Sequence, residues 1–255
     1  MAGDWWRSFF DEEYLQLFQG FLPEQRSDTE AEGLWNLLGL HEGSRVLDAP
    51  CGWGRVARRI AARGATVVGV DQSAAMISRA EQDRGDIPAD RLQYFVRDLR
   101  EPLSEAGFDA AYNIFSSIGY GTEEDDRTIL RTLRDAVRPG GLVLVDTSHR
   151  DLAVTFFARG GVNAMRLEDG TLVVEQPVFD PLTGRVNGTW HWSGPRGSGS
   201  RTASFRVYCA TELVRLIESA GLKVVSAHKG CSPEPFKGAG PDMGGRLGIL
   251  ARRED

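Results

Sequence analysis

The stretch Arg45-Val-Leu-Asp-Ala-Pro-Cys-Gly-Trp-Gly-Arg55 leaves this chain very few folds to adopt. Val46 and Leu47 form an apolar run that ends in Asp48. A turn with two glycines, Gly52 and Gly54, follows at once. Residues 56–63 then read as a helix closed by Gly64, and Thr66-Val-Val-Gly-Val70 reads as a buried strand ending in Asp71. Strand, glycine turn, helix, strand and acid make a βαβ unit suited to a nucleoside-bearing cofactor. Glycine lets the backbone pass close to a ligand where a Cβ would collide. The helix behind it offers unpaired N–H groups and a positive dipole end. The acid at the tip of the neighbouring strand can accept both hydroxyls of a ribose.

Two cofactor classes fit this geometry. Gly52-Trp-Gly54-Arg-Val-Ala57 matches a dinucleotide pattern, with Asp71 at the usual spacing of ~20 residues. The same segment fits acid-x-x-x-Gly-x-Gly through Asp48, Gly52 and Gly54. The acid before the turn discriminates. A pyrophosphate is repelled by a carboxylate at that place, whereas S-adenosylmethionine carries an ammonium and a sulfonium and no phosphate.

Composition narrows the class. The 255 residues suit one large α/β domain, or one with a sizeable insertion, and 41% hydrophobic residues suffice for a full core. The net charge is −6, and the arginines are scattered, so a nucleic-acid partner is not expected. Cys51, Cys209 and Cys231 form no close pair and fit a reducing, cytoplasmic location. Four histidines lack metal-ligand spacing, so no metal is expected. The N-terminus lacks a signal-peptide pattern, and no run approaches the ~18 apolar residues of a membrane span. The expected partner is a small molecule; the sequence leaves homo-oligomer formation open.

Along the chain, positions 6, 10, 14, 17, 18 and 21 form one helical stripe, so residues 5–21 predict an aromatic helix that caps the core or covers the site. Ser27-Asp-Thr-Glu30 predicts a capping box starting a helix that ends at Gly39. Ser73 caps a helix through Met76, Ile77 and Ala80. Residues 92–96 and 108–115 predict the third and fourth strands. A helix from Thr122, stopped by Pro139-Gly140-Gly141, precedes a fifth strand over 142–146. The alternation then breaks. Residues 171–176, 185–192 and 201–208 predict three strands joined by short turns, hence a small antiparallel sheet inserted after the fifth strand. A helix over 211–220 and strands over 223–228 and 246–251 resume the α/β pattern, with a Gly/Pro-rich loop, 230–245, between the last two.

With these pieces in order, the chain resembles the class I S-adenosylmethionine-dependent methyltransferases. It is most similar to the small-molecule subgroup with an N-terminal aromatic helix and an inserted sheet, which includes N-methyltransferases of amino sugars and natural products. The matching pieces are Asp48–Gly54, Asp71, Arg97-Asp98-Leu99, residues 113–119, and residues 133–141 before strand five. The resemblance implies a doubly wound, seven-stranded, mostly parallel sheet in the order 3-2-1-4-5-7-6, with strand seven antiparallel. It implies a helical cap over 1–42, a cofactor-binding core over 43–150 and 206–255, and a β subdomain over 151–205. It places S-adenosylmethionine on the turn Asp48, Ala49, Pro50, Gly52 and Gly54. Asp71 would hold the ribose, with Gln72 beside it and Met76 near the adenine. Asp98 and the Leu99 backbone would serve the adenine ring, and Asn113 and Phe115 would border the methionine part. Trp5, Trp6, Phe9, Phe115, Ser117 and Tyr120 are the expected acceptor-binding residues. Cys51 is expected to be structural.

Methyl transfer is an in-line displacement from a sulfonium, so alignment in a dry site is the enzyme's main task. Aromatic walls exclude water and attract cations. A neutral amine brings its own lone pair, whereas a hydroxyl needs a base. Tyr14 and His149 are the candidate catalytic residues, with Asp146 and Tyr120 as further bases. The missing metal cluster favours N-methylation, as in a secondary-metabolite or amino-sugar pathway, over O-methylation with His149 or a nearby acid as base. A non-catalytic sensor of the cofactor and a dinucleotide oxidoreductase are the remote alternatives.

Overall fold

A computed structural model describes residues 4–18, 22–115, 117–158, 161–237 and 246–255. Its centre is a seven-stranded sheet. The strands are β1 (Arg45–Asp48), β2 (Thr66–Asp71), β3 (Leu92–Val96), β4 (Phe108–Asn113), β5 (Val137–Ser148), β10 (Leu222–Lys229) and β11 (Arg246–Arg253). Their order is β10-β11-β5-β4-β1-β2-β3, the order expected. β11 runs antiparallel to both neighbours, while β1 to β5 pair in parallel.

The central strands read as continuous apolar runs because helices cover both faces of the sheet. Val46, Val67, Ala110 and Leu144 enter one buried cluster; Leu47, Val68, Ala111 and Val145 enter the other. The flanking helices are α3 (Glu24–Leu37), α4 (Ala57–Ala62), α5 (Ala74–Gln82), α6 (Glu123–Ala136) and α8 (Ala210–Ser219). Ser73 caps α5 by accepting from the Met76 N–H, and Thr122 with Asp125 forms a capping box on α6.

Between β5 and α8 stand α7 (Arg150–Ala158) and a four-stranded antiparallel sheet of β6 (Asn163–Arg166), β7 (Leu172–Asp180), β8 (Arg185–Gly194) and β9 (Gly197–Arg206). Arg185 ties this sheet to the loop after β4 by donating to the Tyr120 and Gly121 carbonyls.

Several expectations need correction. The N-terminal stripe is two short helices, α1 (Trp6–Phe9) and α2 (Glu12–Phe18), because the chain turns at Phe10 and the Asp11 carboxylate restarts it by accepting from the Tyr14 N–H at 2.9 Å. Phe21 lies outside the described residues. Ser27 starts nothing: Pro23 precedes α3, and Ser27 lies buried inside it, accepting from Arg55. β5 begins directly at Val137, with its register to β4 shifted past Pro139-Gly140-Gly141. The second sheet has four strands where three were expected. The expected long turn over 193–199 is a tight hairpin around Pro195-Arg196. Of the loop 230–245, residues 238–245 lie outside the described residues. Among the described residues no helix is long and apolar enough to cross a membrane.

Candidate active site

The turn after β1 is held from below by β2. Asp71, at the tip of β2, accepts from the Gly52 N–H at 3.0 Å and from the Ser73 N–H at 2.9 Å. Gly52 has φ +52°, and a Cβ there would meet nothing within 4 Å, so its outer side is open. Gly54 has φ +70°, and a Cβ there would lie 2.2 Å from the Tyr94 hydroxyl. Gly54 therefore gives room to Tyr94, not to a ligand.

A cavity opens on this turn, at the carboxyl ends of β1, β2 and β3, where open α/β sheets bind ligands. Asp48, Pro50, Gly52, Trp53, Asp71, Gln72, Met76, Asp98 and Leu99 line it from the sheet side. Trp6, Tyr14, Phe115, Ser117 and Tyr120 line the rest. Three expected cofactor residues stand outside this lining: Gly54, Asn113 and Ala49. Asn113 is fully buried; its Nδ2 donates to the Ala49 carbonyl at 2.7 Å, and its Oδ1 accepts from Ser117. Ala49 is likewise fully buried. The pair fixes the backbone at the end of β1 beneath the cavity.

Two carboxyls in this cavity, those of Asp48 and Asp71, have no ion pair among the described residues. Burial pushes Asp48 up to about 8, against the opposing pull of Tyr112 and Arg55. Burial pushes Asp71 up to about 6, although the backbone N–H groups of Ser73, Gly52 and Gln72 oppose it. Asp98 goes the other way: hydrogen bonds from Arg100 hold its carboxyl below the usual range, with Arg7 assisting. A cation with no phosphate suits Asp48 and Asp71, since an ion buried without a partner is costly.

A second cavity of about 820 Å³ lies between α1, α2, α7 and the second sheet. Trp5 and Phe9 line it, and so does His149. Phe10, Tyr14, Leu22, Phe115 and Tyr120 border both cavities and form a shared wall. The expected acceptor residues are thus divided: Trp5 and Phe9 face the second cavity, Trp6 and Ser117 the first, and Phe115 and Tyr120 both. Trp5 is fixed by its indole N–H, which donates to the Ser204 carbonyl at 2.8 Å.

Phe115 holds an unusual place. Its φ is +70°, a left-handed backbone that a bulky residue rarely takes. Three guanidiniums, of Arg26, Arg55 and Arg246, stand 5.1–5.2 Å from its ring centroid. Each is paired with a carboxylate: Arg26 and Arg55 with Glu30, Arg246 with Asp146. This collar escaped sequence reading, because positions 26, 55 and 246 share no local pattern.

The candidate bases differ. Asp146 is 2% exposed; Arg246 grips its carboxylate at 2.7–3.0 Å, and it accepts from the Phe115 N–H, so it is not available as a base. Burial pushes the Tyr14 and Tyr120 phenols up, away from the range of a base. His149 is 4% exposed and held below its ordinary value by burial, hence neutral, and its Nδ1 has no partner among the described residues. Burial also pushes the Cys51 thiol well up, which keeps it inert. Among the described residues no group of three or more His, Cys, Asp or Glu side chains is placed to hold a metal ion.

Known proteins bear on this geometry. The sequence signature of a methyltransferase domain matches residues 46–141. Glycine N-methyltransferase from Mus musculus is 27% identical over 240 residues, covering 83% of this chain and 81% of that protein. The Homo sapiens enzyme of the same name is 30% identical over 161 residues, and this chain spans about half of its length, 54%. In fold, the CcbJ methyltransferase from Streptomyces caelestis superposes with a TM-score of 0.79 at 18% identity, covering 98% of this chain and 99% of that one. A sugar N-methyltransferase from Streptoalloteichus superposes with a TM-score of 0.70 at 18% identity, covering 96% and 94%. Residues 46–141 carry a methyltransferase domain, and relatives and strand order agree with it: the chain is an S-adenosylmethionine-dependent methyltransferase.

Proposed function

We propose that this enzyme N-methylates a small-molecule amine held in the second cavity, with transfer across the wall of Phe10, Tyr14, Leu22, Phe115 and Tyr120. The observation that carries the reading is that two cavities of different chemistry meet at one aromatic wall. The donor side offers under-compensated carboxyls to a cation. The acceptor side is aromatic and, among the described residues, holds no free carboxylate at the wall. The names of the relatives, a glycine N-methyltransferase and a sugar N-methyltransferase, are consistent with an amine acceptor.

In this reading Asp48 faces the ammonium of the methionine part, Asp71 takes the ribose hydroxyls, and Met76, Asp98 and Leu99 border the adenine. Bound there, S-adenosylmethionine supplies a methyl group on a sulfonium, which the acceptor nitrogen's lone pair takes as the carbon–sulfur bond breaks. Phe115, fixed by its arginine collar, sets the approach. Tyr14 and Tyr120 keep water out, and their ring faces favour the positive charge that spreads during transfer. Alignment of this kind can supply roughly 7–11 kcal/mol. The proton that the nitrogen sheds passes to neutral His149 or to solvent. Residues 1–42 act as a cap and residues 151–205 as an inserted subdomain that shapes the acceptor cavity.

The test is product identity. Matched amines and alcohols of one carbon skeleton, such as amino sugars and their parent sugars, are incubated with S-adenosylmethionine and read by mass spectrometry. Methylated amines are expected. Methylation of the alcohols alone would overturn the reading in favour of O-transfer.

A further inference from the structure

One carboxylate in the acceptor cavity is left over by the reaction just described. Glu175 lies on β7, facing the cavity, and is 8% exposed. Its Oε2 accepts from the Asn163 Nδ2 at 2.7 Å. Its Oε1 accepts no hydrogen bond among the described residues. Asn163, Glu175 and Trp190 occupy one cross-strand row over β6, β7 and β8, and all three line the cavity. The space beside Oε1 is kept by Gly188, where a Cβ would stand 3.1 Å from that oxygen.

Among the described residues no cation offsets this carboxyl. Burial raises its proton affinity, opposed only by the neutral Asn163 amide. Among the described residues the other ionisable groups on the cavity are Tyr14, Tyr120, His149, Arg26 and Arg246. The two arginines are already paired with Glu30 and Asp146, and His149 is neutral. A buried carboxylate with one neutral partner is expensive unless a ligand completes it.

The position decides what that ligand group is. Tyr14 belongs to the shared wall. Phe18 stacks on Tyr14 at 4.4 Å, and Trp190 meets Phe18 edge-on at 4.7 Å. Glu175 sits opposite Trp190 in the strand register, two rings away from the transfer point. It does not touch the nitrogen that is methylated, which must be neutral to react. We infer that Glu175, with Asn163 and the ring of Trp190, forms a distal subsite for an ammonium group, so that the acceptor carries a second, protonated nitrogen besides the one that is methylated. A carboxylate and an aromatic face together are the usual chemistry for such a cation. The inference rests on the amine-acceptor reading and names the class of acceptor more closely.

The experiment uses the full chain loaded with S-adenosylhomocysteine. The probes are linear α,ω-diamines of graded length and the amino alcohols of equal length, titrated by calorimetry into wild type and Glu175→Gln. Wild type should bind the best diamine about 10–100-fold more tightly than its amino alcohol, the worth of one charge-assisted contact. E175Q should bind the two alike, with unchanged affinity for S-adenosylhomocysteine. Absence of the preference in wild type overturns the proposal, as does its survival in E175Q. Should E175Q lose the nucleoside, Gly188→Ala replaces it, since its methyl crowds Oε1 and leaves the carboxylate. A selective loss of diamine affinity is then expected, and an equal loss for both probes overturns the proposal. A Glu175-dependent preference without methylated nitrogen in a turnover assay would keep the subsite and sink the N-methylation reading instead.

Discussion

The two cavities, proposed for donor and acceptor, share a wall but are built differently. The donor cavity is made largely from strand ends of a buried sheet, where Asp48, Gly52 and Asp71 are placed by backbone hydrogen bonds and by two layers of apolar packing. The acceptor cavity is made from the N-terminal helices, α7 and one face of the second sheet, joined by side chains. Arg201 pins α2 by donating to Asp11 at 2.7–2.8 Å, to Glu13 at 2.6 Å and to the Phe9 carbonyl at 2.6 Å. Trp5 reaches Ser204. The first wall moves only if the sheet does, whereas the second can be remade by changing surface residues. A common cofactor and a variable acceptor fit that division.

Asp71→Ala should break the comparison on the donor side. It removes the proposed ribose acceptor and two turn hydrogen bonds. Cofactor affinity by calorimetry should fall about 10–100-fold, or about 1.5–3 kcal/mol. Unchanged affinity would refute the ribose assignment. His149→Ala then sharpens the acceptor side. With an amine acceptor, kcat should fall less than about tenfold; a loss of 10²–10⁴-fold, roughly the worth of a general base, would argue for a hydroxyl acceptor. Arg201→Ala should be mildest. Its partners Asp11 and Glu13 are about half exposed, so screening limits the loss to about 1 kcal/mol. That corresponds to roughly a fivefold rise in acceptor KM, with cofactor affinity intact. The effect should shrink at high salt. An equal loss of cofactor affinity would show that the two cavities are one mechanical unit.

The same contrast explains what was legible. The donor cavity is written in contiguous residues, 45–55 and 71–76, whose order alone implies a strand, a turn and an acid. Asp48, Gly52, Asp71 and Met76 therefore line one cavity. Gly54 belongs to the same motif and Asn113 to another matching piece, yet Asn113 braces β1 and Gly54 makes room for Tyr94. A motif fixes neighbourhood and not the direction of each side chain. β6 went unseen because its four residues are all exposed and show no alternation. Glu175 and the arginine collar around Phe115 went unseen for another reason. Their partners lie from about a dozen to more than a hundred positions away, and only packing brings them together. The N-terminal stripe predicted one helix where there are two, because Asp11 offers a local cap in the middle of it.

The central claim is that buried carboxyls on the glycine turn wait for a cation, and proton linkage tests it most directly. Asp48 sits at about 8 in the ligand-free chain, so at pH 7 it holds its proton. A cationic ligand favours the ionised form and should expel that proton. Calorimetric titration of S-adenosylmethionine at pH 7, in two buffers of different ionisation enthalpy, should therefore show release of close to one proton. The release should vanish in Asp48→Asn. Binding with no net proton exchange in the wild-type chain would contradict the account.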